Sequence, residues 1–195
     1  MGIYYKFDKA LSPKMCKEII ELGKDTWEKA GVKSNGKRLD QLKDIPEDGN
    51  LNLDIRKSEI AFCNEQWLYD IVFDHMAVAN KNNDWNYEIS SAQPMQITKY
   101  EVGGHFDYHS DGHGSIPLND PENKFTNGNT RKLSMSLMLN DNYKGGEFQF
   151  YKQPKLKEKR GTMLFFPSFM LHKVNPVESG TRYALVVWFL GKPFK

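Results

Sequence analysis

The hydrophobic period of the sequence changes once, near residue 86, and no other feature constrains the fold as strongly. Before that point apolar residues recur at helical spacing, as in Trp67, Leu68, Ile71, Val72 and Met76. After it they alternate with polar residues or form short continuous runs, and both patterns are typical of β-strands. Two leading helices followed by many short strands predict an all-β sandwich or barrel with helices packed on one face.

Turn and capping residues predict where these elements begin and end. Ser12-Pro13 is typical of a helix N-terminus, Gly31 is a natural helix stop, and Asn64 is the expected N-cap of the second helix. The polar range 31–52 predicts a long loop. Strands are expected around the following ranges: 3–7, 56–62, 95–100, 133–139, 148–150, 162–166 and 183–190.

Length and charge fit one domain of ordinary size. The chain has 195 residues, of which 39% are hydrophobic and 13% aromatic, enough to build a sizeable core. Its net charge of +2 argues against a partner bound mainly through phosphate contacts. We therefore treat residues 1–195 as a single domain, with 1–85 as helical support and lid and 86–195 as the β core.

Cysteine usage and the N-terminal sequence bear on cellular context. Cys16 and Cys63 are too few for a disulfide framework or a four-thiolate metal site, so packing is their expected role. The N-terminus lacks a signal-peptide pattern, and no apolar run is long enough to cross a bilayer. We expect a cytoplasmic protein with no membrane partner, and we assume a monomer.

Histidines and aspartates in one segment suggest a metal site. His105 and Asp107 form one His-x-Asp pair, and His109 and Asp111 form a second pair of the same strand parity. Each pair places both side chains on one face of a strand. With the distant His172, either pair could complete the two-histidine, one-carboxylate set of non-haem Fe(II) oxygenases. A polar surface hairpin is the alternative, whereas the His-Glu-x-x-His pattern of zinc proteases is absent.

A second group of residues predicts a cavity that holds an acidic ligand. Arg182 shares strand parity with three residues of the last apolar run: Ala184, Val186 and Trp188. A buried arginine is costly unless it is paired, and the carboxylate of a ligand is a fitting partner. Gln96, Thr98 and Tyr100 also share one parity, and a polar inward face suits a barrel that holds a ligand.

Four segments in order and spacing carry a family resemblance: Tyr100–Asp111, Gly145–Phe148, Gly161–Phe166, and His172–Arg182 with Trp188. Over about residues 95–190 the sequence resembles the prolyl 4-hydroxylase-like branch of the 2-oxoglutarate- and Fe(II)-dependent oxygenases. This resemblance implies a mainly β fold, a double-stranded β-helix (a cupin-like jelly roll) with supporting helices. It also implies Fe(II), 2-oxoglutarate and O2, with ascorbate as a candidate reductant. The implied reaction hydroxylates an unactivated C–H bond and releases succinate and CO2.

The resemblance also implies roles for individual residues. His109, Asp111 and His172 would be the iron ligands, because the family spacing selects the second His-x-Asp pair over the first. Tyr100 and Arg182 would bind the distal carboxylate of 2-oxoglutarate.

Residues that would contact the substrate are less clearly marked. The candidates are Arg56, Gln96, His113 and Trp188. The polar segments Gly31–Asn52 and Gly112–Thr130 are candidate lids over the mouth of the barrel, with solvated loops as the alternative.

The favoured substrate is a prolyl residue of a peptide or protein. A free amino acid or other small metabolite is the first alternative. Nucleic-acid demethylation is a third class, for which the basic run Lys152–Arg160 is the sole support. Trp188 counts against it, since the alkylation-repair branch has a second arginine there. A non-catalytic cupin-like binding module is the fourth, and retention of the three metal ligands and Arg182 argues against it.

Overall fold

The computed structural model describes residues 2–30 and 55–195. The described chain has two helices, α1 (Pro13–Leu22) and α2 (Gln66–Asn82). Its strands are β1 (Tyr5–Phe7), β2 (Glu28–Lys29), β3 (Arg56–Lys57), β4 (Glu59–Cys63), β5 (Ser91–Ala92), β6 (Met95–Tyr100), β7 (His105–His109), β8 (Thr130–Met138), β9 (Lys144–Gly145), β10 (Phe148–Phe150), β11 (Lys155–Leu156), β12 (Met163–Pro167), β13 (His172–Val174), β14 (Val177–Ser179) and β15 (Arg182–Gly191).

Helix α1 begins as predicted but ends earlier. The Ser12 side chain accepts a hydrogen bond from the Met15 backbone N–H, and Pro13 opens the helix. The predicted stop at Gly31 is wrong, because the helix ends at Leu22 with Gly23 as its C-cap. A side chain at Gly23 would press on Ala61 and Trp27, so the chain turns there and continues into β2.

Two other predicted boundaries are also wrong. Glu65, not Asn64, is the N-cap of α2, because the Asn64 side-chain oxygen instead accepts a hydrogen bond from the Tyr69 hydroxyl at 3.1 Å. The strand expected over 56–62 is two strands, since β3 pairs with β7 in one sheet and β4 pairs with β6 in another. The expected loop over 31–52 lies mostly outside the described residues, which begin again at residue 55.

Two antiparallel sheets form the core of the fold. The larger one has the strand order β1-β12-β8-β15-β6-β4-β2, with β5 paired to β15. The smaller one has the order β11-β10-β13-β7-β3, and β9 pairs with β14 in a separate ribbon. This mainly β architecture with two helices confirms the predicted fold class. Strands from the first 85 residues lie in both sheets, in addition to the helices expected there.

The larger sheet buries a different set of side chains on each face. Leu185, Val187 and Phe189 of β15 pack in the main hydrophobic cluster with residues of α1 and α2. The intervening residues of β15 line a cavity between the two sheets, and they are Arg182, Ala184, Val186 and Trp188. Every residue of β12 is buried, as expected for a strand covered on both faces. The predicted parity of the last strand is therefore confirmed.

Neither α1 nor α2, the helices of the described ranges, is long and apolar enough to cross a membrane.

Candidate active site

His109 and His172 face each other across two paired strands of the smaller sheet. His109 is the last residue of β7, His172 is the first of β13, and the two residues are direct partners in the strand register. Their ring centroids lie 4.2 Å apart. Asp111 follows β7 by two residues, and its backbone N–H donates to the Ser168 carbonyl oxygen at 2.9 Å. The end of β7 and this hydrogen bond bring three potential metal ligands together, and these are His109, Asp111 and His172.

The two imidazoles present the same nitrogen to the Asp111 carboxylate. His109 Nδ1 lies 2.7 Å from the Asp107 backbone oxygen, and His172 Nδ1 lies 2.8 Å from that of Met170. Because a carbonyl oxygen can only accept, both Nδ1 atoms carry a hydrogen and both Nε2 atoms present lone pairs. Each Nε2 lies 3.7 Å from an Asp111 carboxylate oxygen. The ligand atoms of all three residues lie within 4.8 Å of one another, as a shared metal ion requires.

The alternative pair lies outside this group. His105 Nδ1 is 3.0 Å from the Gly103 backbone oxygen, and its strand partner is Lys57. The exposed Asp107 carboxylate accepts a hydrogen bond from the Tyr108 backbone N–H. In the described ranges the metal-binding group consists of His109, Asp111 and His172, so the structure brings together the second His-x-Asp pair and the distant histidine.

Electrostatics keep this group in the protonation state that binds metal. Burial, reinforced by the neighbouring His172, lowers the pKa of His109 to about 4. Burial alone would raise the pKa of Asp111, but His172, His109, Arg131 and a hydrogen bond from Ser134 lower it below its usual value. A neutral imidazole and an ionised carboxylate are the forms that coordinate a cation.

Three residues that sequence reasoning missed hold Asp111 in place. Arg131 donates from Nη1 to the Asp111 backbone oxygen at 3.1 Å. Ser134 hydrogen-bonds to the Asp111 carboxylate, and its hydroxyl oxygen lies 2.9 Å from that of Ser168. The sequence pattern could have indicated Ser134, since this polar residue alternates with apolar neighbours in a buried strand. No local sequence pattern indicates Arg131 or Ser168, because their contacts join segments far apart in sequence.

Arg182 is a fully buried cation with unused donors. It is 1% exposed and lies opposite Tyr100 in the register of β15 and β6, with its guanidinium carbon 5.4 Å from the Tyr100 ring centre. Its Nε and Nη2 atoms have no hydrogen-bond partner in the described part of the chain. Tyr143 hydrogen-bonds to the guanidinium, and burial raises the pKa of that phenol. Buried, unpaired N–H groups of this kind fit the carboxylate of an anionic ligand.

The cavity between the sheets connects the metal-binding group to Arg182. Gln96, Thr98 and Tyr100 line it, which confirms the predicted polar inward face of β6. Its other lining residues are Arg56, Phe106, His109, Asp111, Met135, Ser136, Phe148, Phe166, His172, Val174, Arg182, Ala184, Val186 and Trp188. The cavity therefore offers metal ligands, a carboxylate-binding cation and an apolar lining within one space.

Among the predicted substrate contacts, three line this cavity and one does not. Arg56 is 8% exposed, donates from Nε to the Ser58 hydroxyl at 2.9 Å, and stacks 4.6 Å from the centre of the Phe106 ring. Gln96 and Trp188 are the other two. His113 is exposed and is not a lining residue of the cavity.

One of the two proposed lids lies outside the described residues, whereas the other lid and the basic run are described. Gly31–Asn52 lies outside the described residues. The segment 112–129 connects β7 to β8 and follows Asp111 directly, so it lies beside the metal-binding group. In the basic run, Lys155 lies on the edge strand β11 and pairs with Glu147 at 3.2 Å.

Two imidazoles and one carboxylate that converge in a cavity with a buried arginine define a site of the non-haem Fe(II) oxygenase class. Comparison with known proteins gives the same class. The family model of the 2OG-Fe(II) oxygenase superfamily matches residues 95–190. This part of the chain is therefore a domain of that superfamily, which confirms the resemblance and the enzyme class predicted from the sequence. The family also confirms Fe(II), 2-oxoglutarate and O2 as the cofactors.

Sequence relatives of the chain include PKHD-type hydroxylases. One from Pseudomonas fluorescens is 37% identical over 100 residues, which cover 49% of this chain and 42% of the relative. One from Shewanella baltica is 33% identical over 110 residues, which cover 51% of this chain and 46% of the relative. The chain thus matches less than half the length of these curated relatives.

Solved structures with a similar fold include prolyl hydroxylases. The viral collagen prolyl hydroxylase of Paramecium Bursaria Chlorella virus-1, in its 2OG complex, has a TM-score of 0.68 at 19% identity, covering 97% of each chain. A Trichoplax adhaerens prolyl hydroxylase with a hypoxia inducible factor peptide fragment has a TM-score of 0.68 at 19% identity, covering 96% of this chain and 83% of that one. At these identities the likeness establishes the jelly-roll fold.

Proposed function

We propose that this protein is a 2-oxoglutarate-dependent dioxygenase that hydroxylates a prolyl residue of a peptide or protein, with formation of succinate and CO2. The observation that carries the proposal is the convergence of His109, Asp111 and His172 in one cavity with the unpaired donors of Arg182. The superfamily match and the PKHD-type relatives support the reaction class.

Each residue of the site has a task in this reaction. His109, Asp111 and His172 would hold Fe(II) through Nε2, a carboxylate oxygen and Nε2. Arg182 would bind the distal carboxylate of 2-oxoglutarate through its free N–H groups, and Tyr100, its partner across the strands, would donate from its hydroxyl. When bound, the iron supplies activation of O2, which couples decarboxylation of the 2-oxo acid to hydroxylation of a C–H bond.

The cavity walls protect and orient the reacting groups. Phe148 stacks on the His172 ring at 5.1 Å, and Phe166 contacts the same ring edge-on at 4.7 Å, which excludes water from one side of the metal ligands. Trp188 has a buried indole N–H without a partner in the described residues. We assign this N–H, together with the Arg56 and Gln96 side chains, to contacts with the substrate.

A peptide substrate is supported by the surface around the site and by the relatives. Tyr108 and Tyr151 meet edge-to-face at 5.3 Å, and Lys173 lies 4.7 Å from the Tyr108 ring centre. Tyr151 is 51% exposed, so this aromatic pair offers solvent-accessible contact area. One similar structure holds a peptide fragment. His113, exposed on the segment after Asp111, would contact such a peptide outside the cavity.

Turnover assays test the reaction and the substrate class together. The protein is loaded with Fe(II) without oxygen, then supplied with 2-oxoglutarate and air, with and without proline-rich peptides or free proline. We expect succinate release that rises with a peptide, and a mass gain of one oxygen atom on a prolyl residue. The double variant H109A/D111A should form no succinate. Full succinate formation by that variant, or by a protein without iron, would overturn the proposal.

A further inference from the structure

Glu158 is a buried carboxylate that none of the roles above uses. It follows the edge strand β11, and both of its side-chain oxygens are buried without a hydrogen-bond partner in the described ranges. The charged groups that act on it are Arg182 from β15 and Lys6 from β1, and the Tyr143 phenol also senses its charge. Neither cation forms an ion pair with it within 4.0 Å in the described chain. The ionised form of Glu158 is therefore stabilised only by charges that it does not contact.

The position of Glu158 relates it to Arg182 rather than to the metal ligands. A second cavity, of about 260 Å³, is lined by Glu158 and Gly146, and its other titratable lining residues are Asp141, Tyr143, Glu147 and Lys157. Gly146 packs so closely on Arg182 that a Cβ atom there would lie 2.9 Å from the Arg182 Cδ atom. Arg182 also lines the central cavity, whereas Glu158 does not. The arginine therefore separates Glu158 from the space in which 2-oxoglutarate would bind.

Glu158 and Arg182, which both have side-chain atoms without hydrogen-bond partners in the described ranges, therefore interact through their charges. Burial raises the pKa of Glu158 to about 7, while Arg182 and Lys6 oppose that rise. A second carboxylate bound to the free N–H groups of Arg182 would add negative charge near Glu158 and use part of the stabilisation that Arg182 provides. Both effects favour the protonated form of Glu158.

We propose that Glu158 is the proton-linked counter-charge of Arg182, stabilised as a carboxylate by the nearby guanidinium charge when no 2-oxo acid is bound and taking up a proton when 2-oxoglutarate binds. The proton comes from solvent, and no covalent bond other than this O–H bond forms or breaks. This inference rests on the proposed function, since it assigns the Arg182 side of the cavity to 2-oxoglutarate. It makes Glu158 a positioning residue that acts through Arg182 and sets the pH dependence of cofactor binding.

The sign of the pH effect follows from linkage. Below pH 7 Glu158 is already mostly protonated, so binding needs little proton uptake. Above pH 7 each bound 2-oxoglutarate must bring in a proton, and affinity falls by up to about tenfold per pH unit. Between pH 6 and pH 8 we therefore expect the Kd of the wild-type protein to rise about tenfold. In Glu158→Gln, which is always neutral, the Kd should change less than about twofold.

Calorimetry on the full chain can measure the proton directly. The Fe(II)-loaded protein is titrated with 2-oxoglutarate without oxygen, at pH 7.5, in buffers of low and high ionisation enthalpy. The dependence of the observed heat on the buffer gives the number of protons taken up. Glu147→Gln is the matched control, because Glu147 lines the same cavity and pairs with Lys155 at 3.2 Å.

Each outcome has a definite meaning. Uptake of about half a proton or more in wild type and Glu147→Gln, lost in Glu158→Gln, supports the proposal. Binding of 2-oxoglutarate without proton uptake by the wild type, or uptake that persists in Glu158→Gln, overturns it while leaving the proposed function intact. Failure of the folded wild-type protein to bind 2-oxoglutarate at any pH overturns both. If Glu158→Gln fails to fold, Glu158→Leu, which cannot take up a proton either, replaces it in the same titration.

Discussion

The guanidinium carbon of Arg131 lies 3.8 Å above the ring of Trp188. The same guanidinium donates from Nε to Gln93 Oε1 at 2.6 Å and from Nη1 to the Asp111 backbone oxygen at 3.1 Å. One half-buried side chain therefore joins an aromatic wall of the cavity to a proposed iron ligand. Because Arg131 contacts the backbone of Asp111 and also lowers the pKa of its carboxyl, it fixes both the position and the charge of that ligand.

Replacement of Arg131 should weaken metal binding. Groups that orient a metal ligand typically contribute 10- to 100-fold to metal affinity, so we expect Arg131→Met to lower Fe(II) affinity by about that factor. Arg131→Lys keeps the charge but loses the planar stack and the paired donors, so its loss should be smaller. Anaerobic calorimetry with Fe(II) measures the metal affinity of both variants. Wild-type affinity in Arg131→Met would show that Asp111 does not depend on this contact.

Two glycines allow a test of the carboxylate end of the cavity. Gly146 has φ +66° and would place a Cβ atom 2.9 Å from Arg182, whereas Gly128 has φ +72° with nothing within 4 Å of such an atom. Alanine at either position adopts the left-handed conformation at a cost of about 1–2 kcal/mol. Only Gly146→Ala should also displace Arg182 and weaken 2-oxoglutarate binding, by about tenfold or more if one charge-assisted hydrogen bond is lost.

Thermal unfolding and 2-oxoglutarate titration of both alanine variants separate these two effects. Both variants should lose stability, Gly146→Ala more because of its close contacts, and only Gly146→Ala should lose affinity for 2-oxoglutarate. Equal 2-oxoglutarate affinity in Gly146→Ala and Gly128→Ala would show that the Gly146 contact with Arg182 is unimportant for binding.

Lys99 anchors a small ion network that should contribute measurably to stability. Its Nζ lies 2.7 Å from Glu59 and 2.8 Å from Glu101, and its side chain is 19% exposed. Hydrogen bonds to Glu101 and Glu59 raise the pKa of Lys99, so it stays charged throughout the stable range. Urea unfolding of Lys99→Met should show a loss of about 0.5–1 kcal/mol that shrinks in high salt.

The exposed pair of Lys24 and Glu21 is the control for that measurement. Lys24 Nζ lies 3.7 Å from Glu21 Oε2, and both side chains are more than half exposed. Lys24→Met should therefore change the free energy of unfolding by less than about 0.3 kcal/mol. Equal effects of the two substitutions would contradict a special role for Lys99.

The two cysteines should be inert in the native protein. Cys16 and Cys63 are buried, and burial raises the pKa of both thiols, that of Cys63 to about 11. Because the thiolate is the reactive form, a thiol reagent at pH 8 should label native protein slowly and label both residues quickly in guanidinium. Rapid stoichiometric labelling of the native chain would show that one of them is accessible.

Local spacing predicted two His-x-Asp pairs as candidates for the centre of the site, and the family resemblance selected His109 and Asp111. Arg182 shares parity with Trp188 on β15, so sheet geometry alone puts this pair on one face. Asp111 lies two residues beyond the end of β7, so strand parity does not determine its position. The polar face of Gln96, Thr98 and Tyr100 followed from the same rule. These features depend on neighbours within a single strand, and such relationships are visible in a sequence.

Residues whose roles depend on distant partners could not be predicted. Arg131 contacts Gln93 and Asp111 through hydrogen bonds of its side chain to distant segments, and nothing in its own segment indicates those contacts. Glu158 stands in a run of lysines that is typical of an exposed edge, yet its carboxylate is buried. The end of α1 at Leu22 instead of Gly31 has the same cause, because the following residues are drawn into β2 by pairing with β4.

Strand β15 lies between β8 and β6, and in the described sheet it joins the group β1-β12-β8 to the group β6-β4-β2. On the ribosome these two groups exist before β15 does, since Arg182–Gly191 is the last of the described strands to be synthesised. The larger sheet can be completed only when that strand emerges, a late and non-local pairing of the kind that slows folding. Arg182 and Trp188 arrive on the same strand. A nascent chain therefore gains its completed sheet and the proposed binding residues for the 2-oxo acid from the same strand.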